Sequence, residues 1–131
     1  MDRNLNIIID HNSQEPIYKQ LYDQIAYSIS AGILSEGDFL PPSRTMAGIL
    51  DINFHTVNEA YSRLRESGII TMAKNRHYMV SSNMNKNAME KIKPKEKALI
   101  NEAIAMGIRA EDLRKSFDGI IKAMKNKSNG D

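Results

Sequence analysis

Ile17, Leu21, Ile25 and Ile29 recur at intervals of four, with Tyr18, Tyr22 and Ala26 beside them. That spacing predicts a helix with one broad apolar face. Pro16 suits its first turn, where a missing N–H costs nothing, and Ala31-Gly32 suits its close. Before it, Leu5 to Ile9 is a short Ile-rich run that fits either an edge strand or a packed arm, followed by the turn-formers of residues 10–16. After it, Ile33 to Leu40 reads as a connector with a turn at Glu36-Gly37-Asp38.

The stretch from Pro41 to Ser82 then runs through four elements with almost no spare residues. Pro41-Pro42 disfavours helix up to Ser43, which is positioned as an N-cap. Met46, Ala47, Ile49 and Leu50 give a short second helix its expected core face. Asp51-Ile52-Asn53 is a turn, and Asn53 is a favourable N-cap for a third helix. In that helix Val57, Ala60, Tyr61 and Leu64 share one face, while His55, Asn58, Glu59, Ser62 and Glu66 lie mostly on the other. Ser67-Gly68 ends it. Ile69 to Met72 and His77 to Val80 predict two short strands, with Ala73-Lys74-Asn75-Arg76 as a basic hairpin tip. Helix, turn, helix and hairpin in this order describe a winged helix-turn-helix, whose second motif helix lies in the DNA major groove.

Residues 81–94 are polar and rich in Asn and Lys, which predicts a linker that enters a helix near Lys86, with Pro94 either kinking that helix or starting the next. Lys95 to Met106 and Ala110 to Lys125 read as two helices separated by Gly107. Leu99, Ala103 and Ile104 on the first, and Leu113, Phe117, Ile120, Ile121 and Met124 on the second, form apolar stripes. Two helices alone bury too little to stand by themselves, so they need the first domain or a second copy of themselves.

Composition narrows the function. The chain has 131 residues, 41% hydrophobic and 26% charged, which fits one ordinary domain or a small one with an appendage. No apolar run approaches a membrane span, and the start MDRNLNIIIDHN lacks the apolar core and cleavage site of a signal peptide. The absence of cysteine excludes disulfides, thiolate metal sites and cysteine nucleophiles, and fits a cytoplasmic location. His11, His55 and His77 have no ligand-type spacing, so no metal is expected. The glycines form no phosphate-cradling loop, and no carboxylate pair sits with a Ser or His in a catalytic pattern. Neither an enzyme nor a cofactor is expected.

The net charge of +2 is unevenly spread. Residues 1–43 carry two basic groups against six acidic ones, net −4; residues 44–82 carry five against three, net +2; residues 83–131 carry eleven against seven, net +4. The first 82 residues therefore total −2, where a DNA-binding domain usually shows a basic face. That balance leaves a second class of function open, a winged-helix module that binds protein and never touches DNA.

Within the helix-turn-helix, Arg44 lies in the first turn of its helix, where a cation is disfavoured by the helix dipole and an outside partner such as phosphate or a guanine edge would compensate. His55, Thr56 and Asn58 cluster at the start of the third helix, where such helices meet base edges and phosphates. Phe54 beside them fits a hydrophobic lid, a thymine-methyl contact or a turn filler. Lys74 and Arg76 suit phosphate contact or minor-groove insertion. Arg63 and Arg65 fit backbone contact or pairing with Glu59 and Glu66. The DNA-facing set is thus Ser43, Arg44, Asn53, His55, Thr56, Asn58, Ser62, Lys74, Asn75 and Arg76.

Over about residues 14–82 these features resemble the GntR family of bacterial transcription regulators. PIYKQLYDQIAYSISAGIL and GDFLPPSRTMAGIL resemble the family's opening helix and its G-x-x-L-P-S-x-R motif, and INFHTVNEAYSRLRESGII resembles V-N-P-N-T-V-x-x-A-Y-x-x-L-E-x-x-G-L-I. The asparagine-bearing third helix and a tail of 49 residues after Ser82 are similar to the YtrA branch. The resemblance implies that Arg44 and Thr56 contact DNA, that His55 and Asn58 vary with operator sequence, and that Lys74 to Arg76 form the wing tip. It also implies a tail that dimerises and a gene that controls transport systems. Phe54 stands where the family has Pro or Arg, the wing lacks its usual Gly, and Arg109 stands in place of a Ser or Thr cap.

The expectation is a mainly α chain with a small β wing: a winged helix-turn-helix over residues 1–82, then a linker and C-terminal helical dimerisation hairpin over 83–131. Its function would be that of a homodimeric repressor of a transport-related operon, bound to double-stranded operator DNA, with room for a small-molecule effector of unknown chemistry.

Overall fold

A computed structural model describes residues 5–82 and 87–129, with side chains described up to residue 126. The chain forms two compact units, Met1–Asn85 and Lys86–Asp131. The expected helix start near Lys86 lies outside the described residues.

In the first unit, α1 (Ile17–Ser30), α2 (Ser43–Leu50) and α3 (Phe54–Glu66) are followed by an antiparallel hairpin of β1 (Ile70–Met72) and β2 (Tyr78–Val80). Helix α3 is the centre, packing against both α1 and α2. Its inward face of Val57, Ala60, Tyr61 and Leu64 meets Leu21 and Ile25 from α1, Met46 and Ala47 from α2, and Leu34, Leu40, Ile70 and Val80. Burying a large apolar side chain of this kind contributes about 1.5–3 kcal/mol before entropy is counted. The register pairs Ile70 with Val80, Thr71 with Met79 and Met72 with Tyr78, so the buried ends of the hairpin close the core.

The structure departs from the sequence reading at several points. Pro42, not Ser43, occupies the N-cap of α2: its carbonyl accepts from the Met46 N–H at 2.9 Å, and Ser43 is already helical. Ile49 is 68% exposed, so the core face of α2 is Met46 and Ala47 with Leu50 at its edge. The connector before α2 is also part of the sheet. Phe39 bridges Met79, the Leu40 N–H donates to the Tyr78 carbonyl at 2.9 Å and the Val80 N–H to the Asp38 carbonyl at 2.8 Å. β2 is therefore bonded on both sides, which anchors the wing to the chain leading into α2.

Leu5 to Ile9 is an arm, held by two glutamines of α1. Gln24 receives the Ile8 N–H at 2.9 Å and donates to its carbonyl at 2.7 Å. Gln20 does the same for Asp10, at 2.9 and 3.0 Å, and also donates to the Glu15 carbonyl. Two side-chain amides thus supply what a neighbouring strand would have supplied, while Leu5, Ile7 and Ile9 pack on the core.

The second unit is α4 (Ala88–Ala105) and α5 (Ala110–Asn129). α4 runs through Pro94 as one helix. Gly107, at φ 90°, makes the turn that a residue with a Cβ resists, and the Ile108 N–H closes onto the Ala103 carbonyl at 3.0 Å. Arg109 stands at the start of α5, its carbonyl taking the Leu113 N–H at 3.0 Å and its guanidinium pairing with Asp112 and Glu111. The hairpin is open, with little contact between the helices beyond the turn. Among its described residues only Ala103 is buried, and Ile100 and Leu113 are half-buried. Leu99, Ile104, Phe117, Ile120, Ile121 and Met124 are between 38% and 55% exposed.

Candidate nucleic-acid interface

The outward face of α3 is fixed by its inward one. With 100° of turn per residue, His55, Asn58 and Ser62 fall within about 60° of one another, opposite the stripe of Val57, Ala60, Tyr61 and Leu64. His55 and Ser62 are exposed, and Asn58 is half-buried. The helix begins at a well-formed cap: the Asn53 side-chain oxygen accepts the His55 N–H at 2.8 Å, and the Asn53 carbonyl accepts the Thr56 N–H at 3.0 Å. Asn53 Oδ1 is thus committed to the cap. Thr56, half-buried, flanks the polar stripe on one side. Phe54 flanks it on the other.

Arg44 is exposed in the first turn of α2. Its guanidinium carbon stands 4.2 Å from the centre of the Phe54 ring. That ring in turn lies 4.2 Å from the His55 imidazole, tilted by 31°. Arg44, Phe54 and His55 thus adjoin where α2 and α3 meet. Of the three roles that the sequence leaves open for Phe54, its half-buried packing against the core fits the hydrophobic lid; the structure adds one that the sequence does not show, as the surface on which Arg44 rests. The missed signal was the pairing of an arginine in one first turn with an aromatic at the head of the next helix.

The other cations divide. Arg63 stacks on Tyr18 at 4.6 Å and pairs with Glu59 at 3.2 Å, tying α3 to α1. Arg65 is exposed near the end of α3. Lys74, Asn75 and Arg76 are exposed at the hairpin tip. There the Arg76 N–H donates to the Ala73 carbonyl at 2.9 Å and the Ala73 N–H to the His77 carbonyl at 2.8 Å. Such a turn ends on a left-handed residue, normally Gly; here Arg76 takes it, at φ 67°. Asn75 Oδ1 accepts the His77 N–H at 3.0 Å, so this side chain shapes the tip as well as being presented at it. Ser43 is half-buried at the start of α2.

Among the described residues no three His, Asp or Glu side chains converge as metal ligands, and no helix is long and apolar enough to cross a membrane.

Residues 17–80 match the family described as bacterial regulatory proteins, gntR family. The transcriptional repressor YtrA of Bacillus subtilis (strain 168) is 33% identical over 129 residues, covering 95% of this chain and 99% of that one. The solved structure of YtrA from Sulfolobus acidocaldarius, a GntR-family transcription factor, superposes with a TM-score of 0.65 at 39% identity, over 76% of this chain and 97% of that one. A transcriptional antiterminator from Listeria monocytogenes EGD-e superposes with a TM-score of 0.72 at 25% identity, over 88% and 90%. With its three-helix core, small β wing and helical tail, the chain belongs to the GntR family, in its YtrA-like branch, and is a transcriptional regulator of that type.

Proposed function

We propose that this regulator is a homodimeric repressor that docks α3 in the major groove of operator DNA. The observation that carries this is the outward face of α3: His55, Asn58 and Ser62 in one stripe, flanked by Thr56 and headed by Arg44 on its aromatic support. Arg44 and Thr56 would hold phosphate or a guanine edge, while His55 and Asn58 would read bases. Lys74 and Arg76 would add phosphate contacts from the wing. Two copies would associate through the apolar stripes of α4 and α5 and bring two α3 helices to half-sites about one helical turn apart. Repression is supported by the similarity to the Bacillus repressor. A transport-related target operon and a cytoplasmic location rest on family resemblance and composition.

The test is a mobility shift on parental genomic fragments at several salt concentrations. Binding should weaken steeply with salt, and Arg44→Ala and Thr56→Ala should weaken it further. Substitutions at His55 or Asn58 should change which sequence is preferred. Intact operator binding by Arg44→Ala would mean that the contact face is misassigned. The competing class, a module that binds only protein, is favoured by the net −2 of residues 1–82 and predicts no salt-dependent DNA binding at all.

A further inference from the structure

Arg44 sits in the first turn of α2, where the helix dipole disfavours a cation, and its guanidinium makes no ion pair or hydrogen bond among the described residues. What stands against it is the negative π face of Phe54, at 4.2 Å. Stacking on a ring occupies the flat face of a guanidinium and leaves its in-plane N–H donors free. A long, exposed arginine otherwise loses rotamer freedom when it is fixed on DNA, and that loss subtracts from affinity.

We propose that Phe54 is a positioning residue: it pre-orders Arg44 so that the guanidinium meets a phosphate or a guanine edge with its in-plane donors already available. The inference rests on the contact face proposed above. It assigns Phe54 no contact with DNA. Its effect runs through Arg44, so the two residues are energetically coupled in DNA binding. Loss of the ring matters only while the arginine is present, and a side chain that is merely apolar cannot replace it. Tyr, which keeps a π face of the same shape, can.

The test measures binding of the full-length chain to a labelled duplex recovered by selecting parental genomic fragments on the unmodified protein. Phe54→Ala should weaken binding about five-fold, the equivalent of an exposed cation–π contact. Phe54→Leu should weaken it similarly, while Phe54→Tyr should bind within about two-fold of the parent. In an Arg44→Ala background, Phe54→Ala should cost nothing more. Thermal melts accompany each variant, and if Phe54→Ala fails to fold, the Tyr and Leu variants decide. The inference is overturned if Phe54→Leu binds like the parent, or if Phe54→Ala costs as much without Arg44 as with it, since the ring then only fills the turn. If Arg44→Ala binds like the parent, the contact face itself is wrong and the inference goes with it; additivity or rescue by Leu leaves that face standing.

Discussion

The Tyr61 hydroxyl donates to the Pro41 carbonyl at 2.8 Å, joining the middle of α3 to the segment that leads into α2. The ring is buried and meets Tyr78 of β2 edge to face at 5.6 Å. One residue thus links the helix that carries the polar stripe, the loop just before Arg44, and the wing. Removing only the hydroxyl tests that link. Tyr61→Phe should lower stability by about 1 kcal/mol at neutral pH, measured by chemical denaturation, because the Pro41 carbonyl loses its partner.

Tyr61 also predicts a pH dependence. Burial pushes its phenol above the usual value near 10. Between pH 10 and the folded-state value the unfolded chain has released this proton and the folded chain has kept it. The folded state binds more protons there, so stability falls as pH rises. Denaturation of the parent and of Tyr61→Phe between pH 8 and about pH 11 checks this. The parent should lose more stability above pH 10, and the difference between the two should narrow. Parallel curves would mean that the hydroxyl ionises as freely in the fold as outside it.

Much of this frame was legible from residue spacing. Long amphipathic periods fix a face, which is why the core stripe of α3 and its Asn53 cap could be read directly. The eight residues of α2 offer barely two turns, and Met46, Ala47, Ile49 and Leu50 span too wide an arc to show where the core lies. The pairing of residues 37–40 with β2 was hidden because Glu36-Gly37-Asp38 reads as a turn, and a single bridge leaves no alternation to detect. The contact between Arg44 and Phe54 joins two helices, and no one-dimensional period reports that. Pro94 within α4 and the glutamine clasps on the arm were likewise beyond pattern reading, since both depend on where backbone groups find partners.

The exposure of Ile49 separates it from its neighbour in the core. Ile49→Ala should change stability by no more than about 0.5 kcal/mol. Met46→Ala, at a position only 2% exposed, should cost about 2–5 kcal/mol. Equal costs in denaturant melts would place Ile49 in the core.

Arg76 carries backbone strain at the wing tip and a charge that DNA would use. Arg76→Gly should relieve the left-handed conformation and raise stability by about 1 kcal/mol, since glycine enters that region without a Cβ clash. The same change should weaken operator binding and reduce its salt slope by about one unit, because one phosphate contact is lost. A variant that was more stable and bound DNA with an unchanged slope would remove the wing tip from the interface.

The tail poses the remaining question, since its helices do not bury their own stripes. Leu113, Phe117, Ile120, Ile121 and Met124 follow the spacing of one helix face, yet the last four are exposed within the chain. Apolar side chains arranged like this gain most from a second copy of themselves, because an isologous contact covers every stripe twice over. Sedimentation of the parent should therefore show twice the 14.8 kDa of one chain, with a melting temperature that rises with concentration. Ile121→Asp would place a carboxylate in that contact without disturbing a buried position. It should yield single chains that keep the first unit folded but bind an operator as one half-site, with the steep gain of paired binding lost. If Ile121→Asp stayed dimeric and bound normally, the stripe on α5 would not be the surface that joins two copies.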